Sequence, residues 1–220
     1  MTSSTDLAAL LCSRLCHDLL SPVGAIGNGL ELLADETDPE MRRSVMDLLE
    51  QSARTSAVKL QFYRFAYGSP AALGETVPVD EPRALLEALL ADNGKVTLDW
   101  AVEAQELDRA AMKILLVFAA LGIAALVRGG TLAVGAEVRP GDAETETEIV
   151  VRAGGPRIAF EPAIGRALAG ELGEGELSAH TAPAFLVRRL AEEKGGEVQH
   201  AVAADALLMG ALLPARVAIV

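Results

Sequence analysis

The residues best suited to chemistry lie in Leu15-Cys16-His17-Asp18-Leu19-Leu20-Ser21-Pro22-Val23. Around them, Leu7, Leu11, Leu15, Leu19, Val23, Ile26, Leu30 and Leu33 recur in steps of three and four, the spacing of one buried helix stripe. At ~100° per residue His17 points about 160° away from Leu15 and Leu19, so it faces out. Ser13, Arg14, Ser21, Gly24 and Asn28 share its side, and the small ones among them leave room for another protein to approach the ring. Neutral imidazole is a competent nucleophile near pH 7, since the free side chain titrates near about 6.5. A lone exposed histidine usually does nothing. Here an acid at +1, a hydroxyl at +4 and a proline at +5 on the same helix favour a function. Pro22 lacks an N–H, so the Asp18 carbonyl loses its helical partner and a bend is predicted just past the histidine.

The elements that must position this histidine follow from the same patterns. Helix 1 is predicted over residues 5–34. Asp38-Pro39-Glu40 then supplies an N-cap, a proline at the first helical position and an acid in the first turn. Helix 2 runs from there to about residue 67 and stops at Gly68-Ser69-Pro70. Two antiparallel helices of this length cannot bury their stripes against each other alone. The economical solution is a homodimer whose two hairpins form a four-helix bundle, and the alternative is a monomer whose second domain covers the stripe. Beyond about residue 75 the pattern predicts helices over 82–91, 108–127 and 183–194. Strands are predicted over 95–102, 131–138, 146–152, 197–202 and 206–213. The whole reads as an α+β chain: an antiparallel helical hairpin over 1–68, then an α/β sandwich over 75–220 with helices on one face of a sheet.

Composition bounds the function. The 220 residues carry a net charge of −12, which argues against nucleic acid and against anionic membranes. Half the chain is hydrophobic and little of it is aromatic, which describes an Ala/Leu/Val-filled core. The longest apolar run, residues 114–127, is shorter than the ~20 residues that cross a bilayer. The N-terminus shows no basic region and no signal-peptide core, so the expected location is cytoplasmic. Cys12 and Cys16 could contribute to a metal site with His17, but no further ligand stands at zinc-like spacing, and packing as small hydrophobes is the expectation. His180 and His200 read as ordinary surface or core histidines.

His-Asp-x-x-Ser-Pro resembles the H-box of two-component histidine kinases, whose histidine carries a phosphoryl group. The second half resembles the ATP-binding domain of those kinases, the Bergerat fold, through Leu107-Asp108-Arg109, Gly129-Gly130-Thr131-Leu132-Ala133-Val134 and the stretch from Val187 to Val198. Its chemistry is missing. Phe118 and Gly122 stand near the asparagine positions, Ala153 replaces the acid that would bind adenine, and the lid reads Ala179-His180-Thr181-Ala182-Pro183-Ala184 without a glycine. An ATP site needs an adenine acceptor, a Mg²⁺ ligand and N–H groups free to close on phosphates. Together with Lys59-Leu60-Gln61-Phe62-Tyr63-Arg64-Phe65-Ala66-Tyr67-Gly68, and with Leu20 where most sensor kinases have a basic residue, the chain closely resembles the ChpT family of histidine phosphotransferases.

That resemblance implies the middle step of a phosphorelay. The receiver domain of a hybrid histidine kinase would pass its phosphoryl group to His17, and His17 would pass it to a downstream response regulator. It implies no cofactor of the chain's own, with Mg²⁺ supplied by the partner receiver. Nε2 would attack, and Asp18 would orient the imidazole. Arg14 would offset phosphoryl charge, or else is a solvated surface arginine. Ser21 and Gly24 would make space, and Leu20 and Asn28 would belong to the partner surface. The competing readings are a non-catalytic receiver- or kinase-binding scaffold, an active kinase with an unusual ATP site, and a receiver phosphatase, which usually places Thr, Asn or Gln where this chain has Ser21.

Overall fold

Helix α1 (Ser4–Asp35) opens the chain, and Ser3 starts it with a reciprocal capping box to Asp6. Helix α2 (Pro39–Tyr67) starts at the N-cap Asp38, whose carboxylate accepts the Glu40 N–H at 3.2 Å. Arg42 locks the turn between them by donating to the carbonyls of Leu33 (3.0 Å) and Glu36 (2.7 Å), which α1 leaves without partners at its end. The structure, a computed structural model, describes residues 3–68, 75–91, 94–140, 145–173 and 175–215. Ser69 and Pro70, read from the sequence as part of the stop after α2, lie outside the described residues, as do Met1 and Thr2.

The helices pack tightly at Gly29, where a Cβ would come within 2.7 Å of Leu49. Gly29 is also the one α1 residue that is buried. The stripe is therefore only partly covered: Leu7, Leu11, Leu15, Leu19, Ile26 and Leu33 are half-buried, while Val23 and Leu30 are more than half exposed. Cys12 and Cys16 are also exposed, against the expectation that they pack as small hydrophobes. A single neighbouring helix covers too little of α1 to bury every face the sequence marks as apolar.

The second part contains β1 (Thr76–Pro78), α3 (Asp80–Ala91), β2 (Val96–Val102), β3 (Glu106–Asp108), α4 (Arg109–Ala125), β4 (Gly130–Pro140) and β5 (Thr145–Gly154). It continues with α5 (Pro162–Ala169), α6 (Ala182–Lys194), β6 (Glu197–Val202) and β7 (Ala206–Ala215). Five strands form one sheet in the order β2-β4-β5-β7-β6, with β2 and β4 parallel and the other pairs antiparallel. Along β5, Thr147, Ile149, Val151 and Ala153 are buried, while the residues between them are half-buried or exposed. This period of two is that of a sheet packed on one face only. The helices cover that face.

The turn from α4 into β4 depends on two glycines. Gly129 and Gly130 have φ of +83° and +142°, and a Cβ at Gly130 would lie 2.2 Å from the Gly154 carbonyl oxygen. The sequence did not reveal α5 or the small β1–β3 ladder, in which Val77 pairs with Leu107. The core does not stop at the hairpin: Phe62, Phe65 and Ala66 of α2 share one buried cluster with Met112, Leu115 and Phe118 of α4. Among the described residues, no helix is long and apolar enough to cross a membrane.

Candidate functional site

His17 stands on the outer face of α1 with its side chain 84% exposed. Its Nδ1 lies 3.3 Å from Oδ1 of Asp18. The other Asp18 oxygen, Oδ2, accepts from Arg14 Nε at 2.8 Å and from the Tyr63 hydroxyl at 2.7 Å. Three groups on two helices thus fix a carboxylate that is itself only 19% exposed. Burial acts to raise the Asp18 pKa, but the bonds from Tyr63, Arg14 and His17 outweigh it and hold the carboxyl below the usual aspartate value. On Tyr63 burial and the facing carboxylate act together and push the phenol well above its ordinary range. Asp18 is therefore an anion held in one orientation, with its free edge toward the imidazole.

The Asp18 carbonyl that Pro22 leaves open has a partner: Lys59 Nζ donates to it at 3.0 Å. Lys59 and Tyr63 lie one turn apart on α2, and both reach the same residue of α1. Tyr63 is held in turn by its neighbour Tyr67, with centroids 5.6 Å apart and rings 12° from parallel. Burial lifts the Tyr67 hydroxyl to about 12 against the opposing charge of Arg14. Around His17, Leu20 is 70% exposed, Ser21 and Asn28 are exposed, and a Cβ at Gly24 would meet nothing within 4 Å. The histidine thus has open space on its own side of the helix.

Arg14 is not a solvated surface residue. Its side chain is 29% exposed, and beyond Asp18 its Nη1 lies 3.2 Å from Nδ1 of His180, just before α6. His180 Nε2 lies 3.3 Å from the Glu161 carboxylate. These groups border a cleft of about 770 Å³ between the hairpin and the α/β part, lined also by Leu121, Ile123 and Phe160. Phe118 and Ala153 are fully buried, and a Cβ on Gly122 would lie 2.7 Å from Leu132 and 3.5 Å from Ala153. Among the described residues, no cluster of three His, Cys, Asp or Glu side chains could hold a metal ion.

Sequence reasoning placed Ser13, Arg14, Ser21, Gly24 and Asn28 on the His17 side of the helix and gave Asp18 the role of orienting the ring, but it missed Tyr63 and Lys59 as partners of Asp18 and His180 as a partner of Arg14. The motif around Lys59 and Tyr63 was visible. Its contact with Asp18 was not, because it depends on the register of the hairpin.

Comparison with known proteins bears on the same reading. The sequence model described as "Histidine phosphotransferase C-terminal domain" matches residues 79–206. The chain is 34% identical over 204 residues to "Protein phosphotransferase ChpT" of Brucella abortus (strain 2308), covering 92% of this chain and 94% of that one. Its fold matches a solved "Bacterial Phosphotransferase" with a TM-score of 0.81 at 32% identity, over 96% of this chain and 98% of that one. Fold and site define an α+β protein in which a helical hairpin with an outward histidine is followed by an α/β sandwich. Within that class, the chain belongs to the histidine phosphotransferase family.

Proposed function

We propose that His17 relays phosphoryl groups in a multistep phosphorelay. It accepts from an aspartyl phosphate on the receiver domain of a hybrid histidine kinase and passes the group to a response regulator. The observation that carries this reading is the pair of an outward imidazole and an anchored carboxylate at its Nδ1. With Asp18 accepting from Nδ1–H, the Nε2 lone pair faces solvent and is the nucleophile. Nε2 attacks phosphorus in line, the N–P bond forms, and the P–O bond to the receiver aspartate breaks as that carboxylate leaves. Asp18 stabilises the positive charge that develops on the ring. The receiver brings its own Mg²⁺, and transfer to the second regulator runs the same step in reverse.

The reading makes the protein a homodimer joined through the hairpins, because α1 buries only Gly29 within the protomer and leaves Val23 and Leu30 in water. Leu20, Ser21, Gly24 and Asn28 form the surface that receives the partner. Two exposed free cysteines suit the reducing cytoplasm, where receivers would meet this protein. ATP has no part in the reaction. Phe118, Gly122 and Ala153 offer no ligand for Mg²⁺ or adenine, so calorimetry with millimolar Mg-ATP should show no binding heat, and saturable heat would overturn this part. For the transfer itself, a ³²P-labelled receiver is mixed with the protein. Label moving to this chain as an acid-labile, alkali-stable adduct supports the reading. Label released only as inorganic phosphate contradicts it.

A further inference from the structure

One side chain of the second domain reaches into the hydrogen bonds behind His17. A guanidinium has donors only, so at 3.2 Å Arg14 Nη1 donates and His180 Nδ1 accepts. That fixes the neutral ring with its proton on Nε2, directed at the Glu161 carboxylate 3.3 Å away. The same guanidinium donates through Nε to Asp18, whose other oxygen faces His17. Glu161, His180, Arg14, Asp18 and His17 therefore form one continuous line from the second domain to the outward imidazole.

The turn that carries His180 is built to hold it. Thr181 is 2% exposed, its hydroxyl donates to the Glu176 carbonyl at 3.0 Å, and it accepts the Ser178 N–H at 3.0 Å. The Glu176 carboxylate accepts the Gly173 N–H at 2.7 Å and pairs with Arg166. This pairing, together with the Gly173 bond, holds the Glu176 carboxyl below its ordinary pKa. The turn thus presents His180 from a fixed base.

We propose that His180 and Glu161 are positioning residues for phosphoryl transfer at His17. They anchor the far end of the Arg14 fork, so that its Nε, and with it the Asp18 carboxylate, keeps the orientation that holds the imidazole. A guanidinium tied at one end only can rotate about its long stem, whereas two anchors fix its plane. On this account the sandwich remains part of the transfer site without binding a nucleotide. The inference rests on the reading of His17 as the phosphoryl acceptor.

The test is single-turnover transfer from a ³²P-labelled receiver domain that labels the wild-type protein, followed against receiver concentration. The proteins compared are wild type, His180→Ala, His180→Gln and His17→Ala, each checked for an unchanged circular dichroism spectrum. His180→Ala should lower the saturating rate about tenfold, the effect of losing roughly one charged hydrogen bond, without changing the half-saturating receiver concentration. In His180→Gln the amide oxygen can accept from Arg14 and the amide nitrogen can donate to Glu161, so most of the rate should return. Three results overturn the inference while leaving His17 as acceptor: an unchanged rate in His180→Ala, a loss confined to half-saturation, or His180→Gln as slow as the alanine variant. Equal labelling of His17→Ala and wild type overturns the acceptor assignment, and the inference falls with it.

Discussion

Tyr63→Phe removes one hydroxyl and little else, and its consequence can be worked out from the structure. The phenyl ring keeps its stack on Tyr67 and its edge contact with Phe62. What is lost is the 2.7 Å bond to Asp18 Oδ2. A hydrogen bond to a charged group contributes ~1.5–3 kcal/mol, and partial solvation of Asp18 sets the expected cost near the low end, ~1.5 kcal/mol. For a chain of this size that corresponds to a Tm lower by about 3–6 °C at pH 7, measured at one fixed protein concentration. The pH dependence gives the sharper test. The Asp18 carboxyl lies below its ordinary pKa, so its stabilisation is complete above about pH 4 and is lost as pH falls through the lowered value. Tyr63 supplies part of that lowering. The gap between wild type and variant should therefore be full at neutral pH and narrow as acid protonates Asp18 in both. Thermal melts from pH 7 down to the acid limit of the fold read it directly. Equal stability at pH 7, or a gap of constant size through the acid range, would refute the reasoning and leave Tyr63 as packing only.

Four other substitutions probe the scaffold. Lys59→Met leaves the Asp18 carbonyl without its donor and should cost about 1 kcal/mol in urea unfolding. In a Pro22→Ala background the restored backbone N–H can take that carbonyl, so the same change should then cost little, a coupling that a double-mutant cycle measures. Leu30→Glu replaces a residue 58% exposed in the protomer, so a monomer would tolerate it. In a hairpin dimer it buries an unpaired carboxylate, and light scattering should show the mass fall by half, whereas a wild type already monomeric at micromolar concentration contradicts the dimer. Gly130→Ala forces a Cβ onto the Gly154 carbonyl at φ +142° and should destabilise by at least ~2 kcal/mol in the same urea assay.

The hairpin was legible because its signals are local. Asp38-Pro39-Glu40 marks where α2 begins, and a three-four repeat sustained from Leu7 to Leu33 of α1 allows one periodicity. The outward direction of His17 follows from the same repeat. The elements that escaped are those too short to show a period, namely the three-residue strands β1 and β3 and the eight-residue α5. The sequence showed the acid at +1 but not what holds it. Tyr63 is 45 residues away from Asp18, and His180 is 166 from Arg14, so both contacts arise only once hairpin register and domain packing are set. Val23, Leu30 and the two cysteines stay uncovered in the protomer for a common reason. Apolar periodicity marks what must be covered but not which chain covers it, and a single α2 cannot cover all of α1.

The central claim is that phosphate passes through His17, and the most direct measurement places wild type and His17→Ala side by side. Each is mixed with the same ³²P-labelled receiver, quenched over a time course at alkaline pH and resolved by gel. The ring is 84% exposed, so its loss should leave the fold unchanged. The account predicts label on the wild-type chain, lost on brief acid treatment, and none on His17→Ala. Label of equal amount and equal acid-lability on the variant would contradict it.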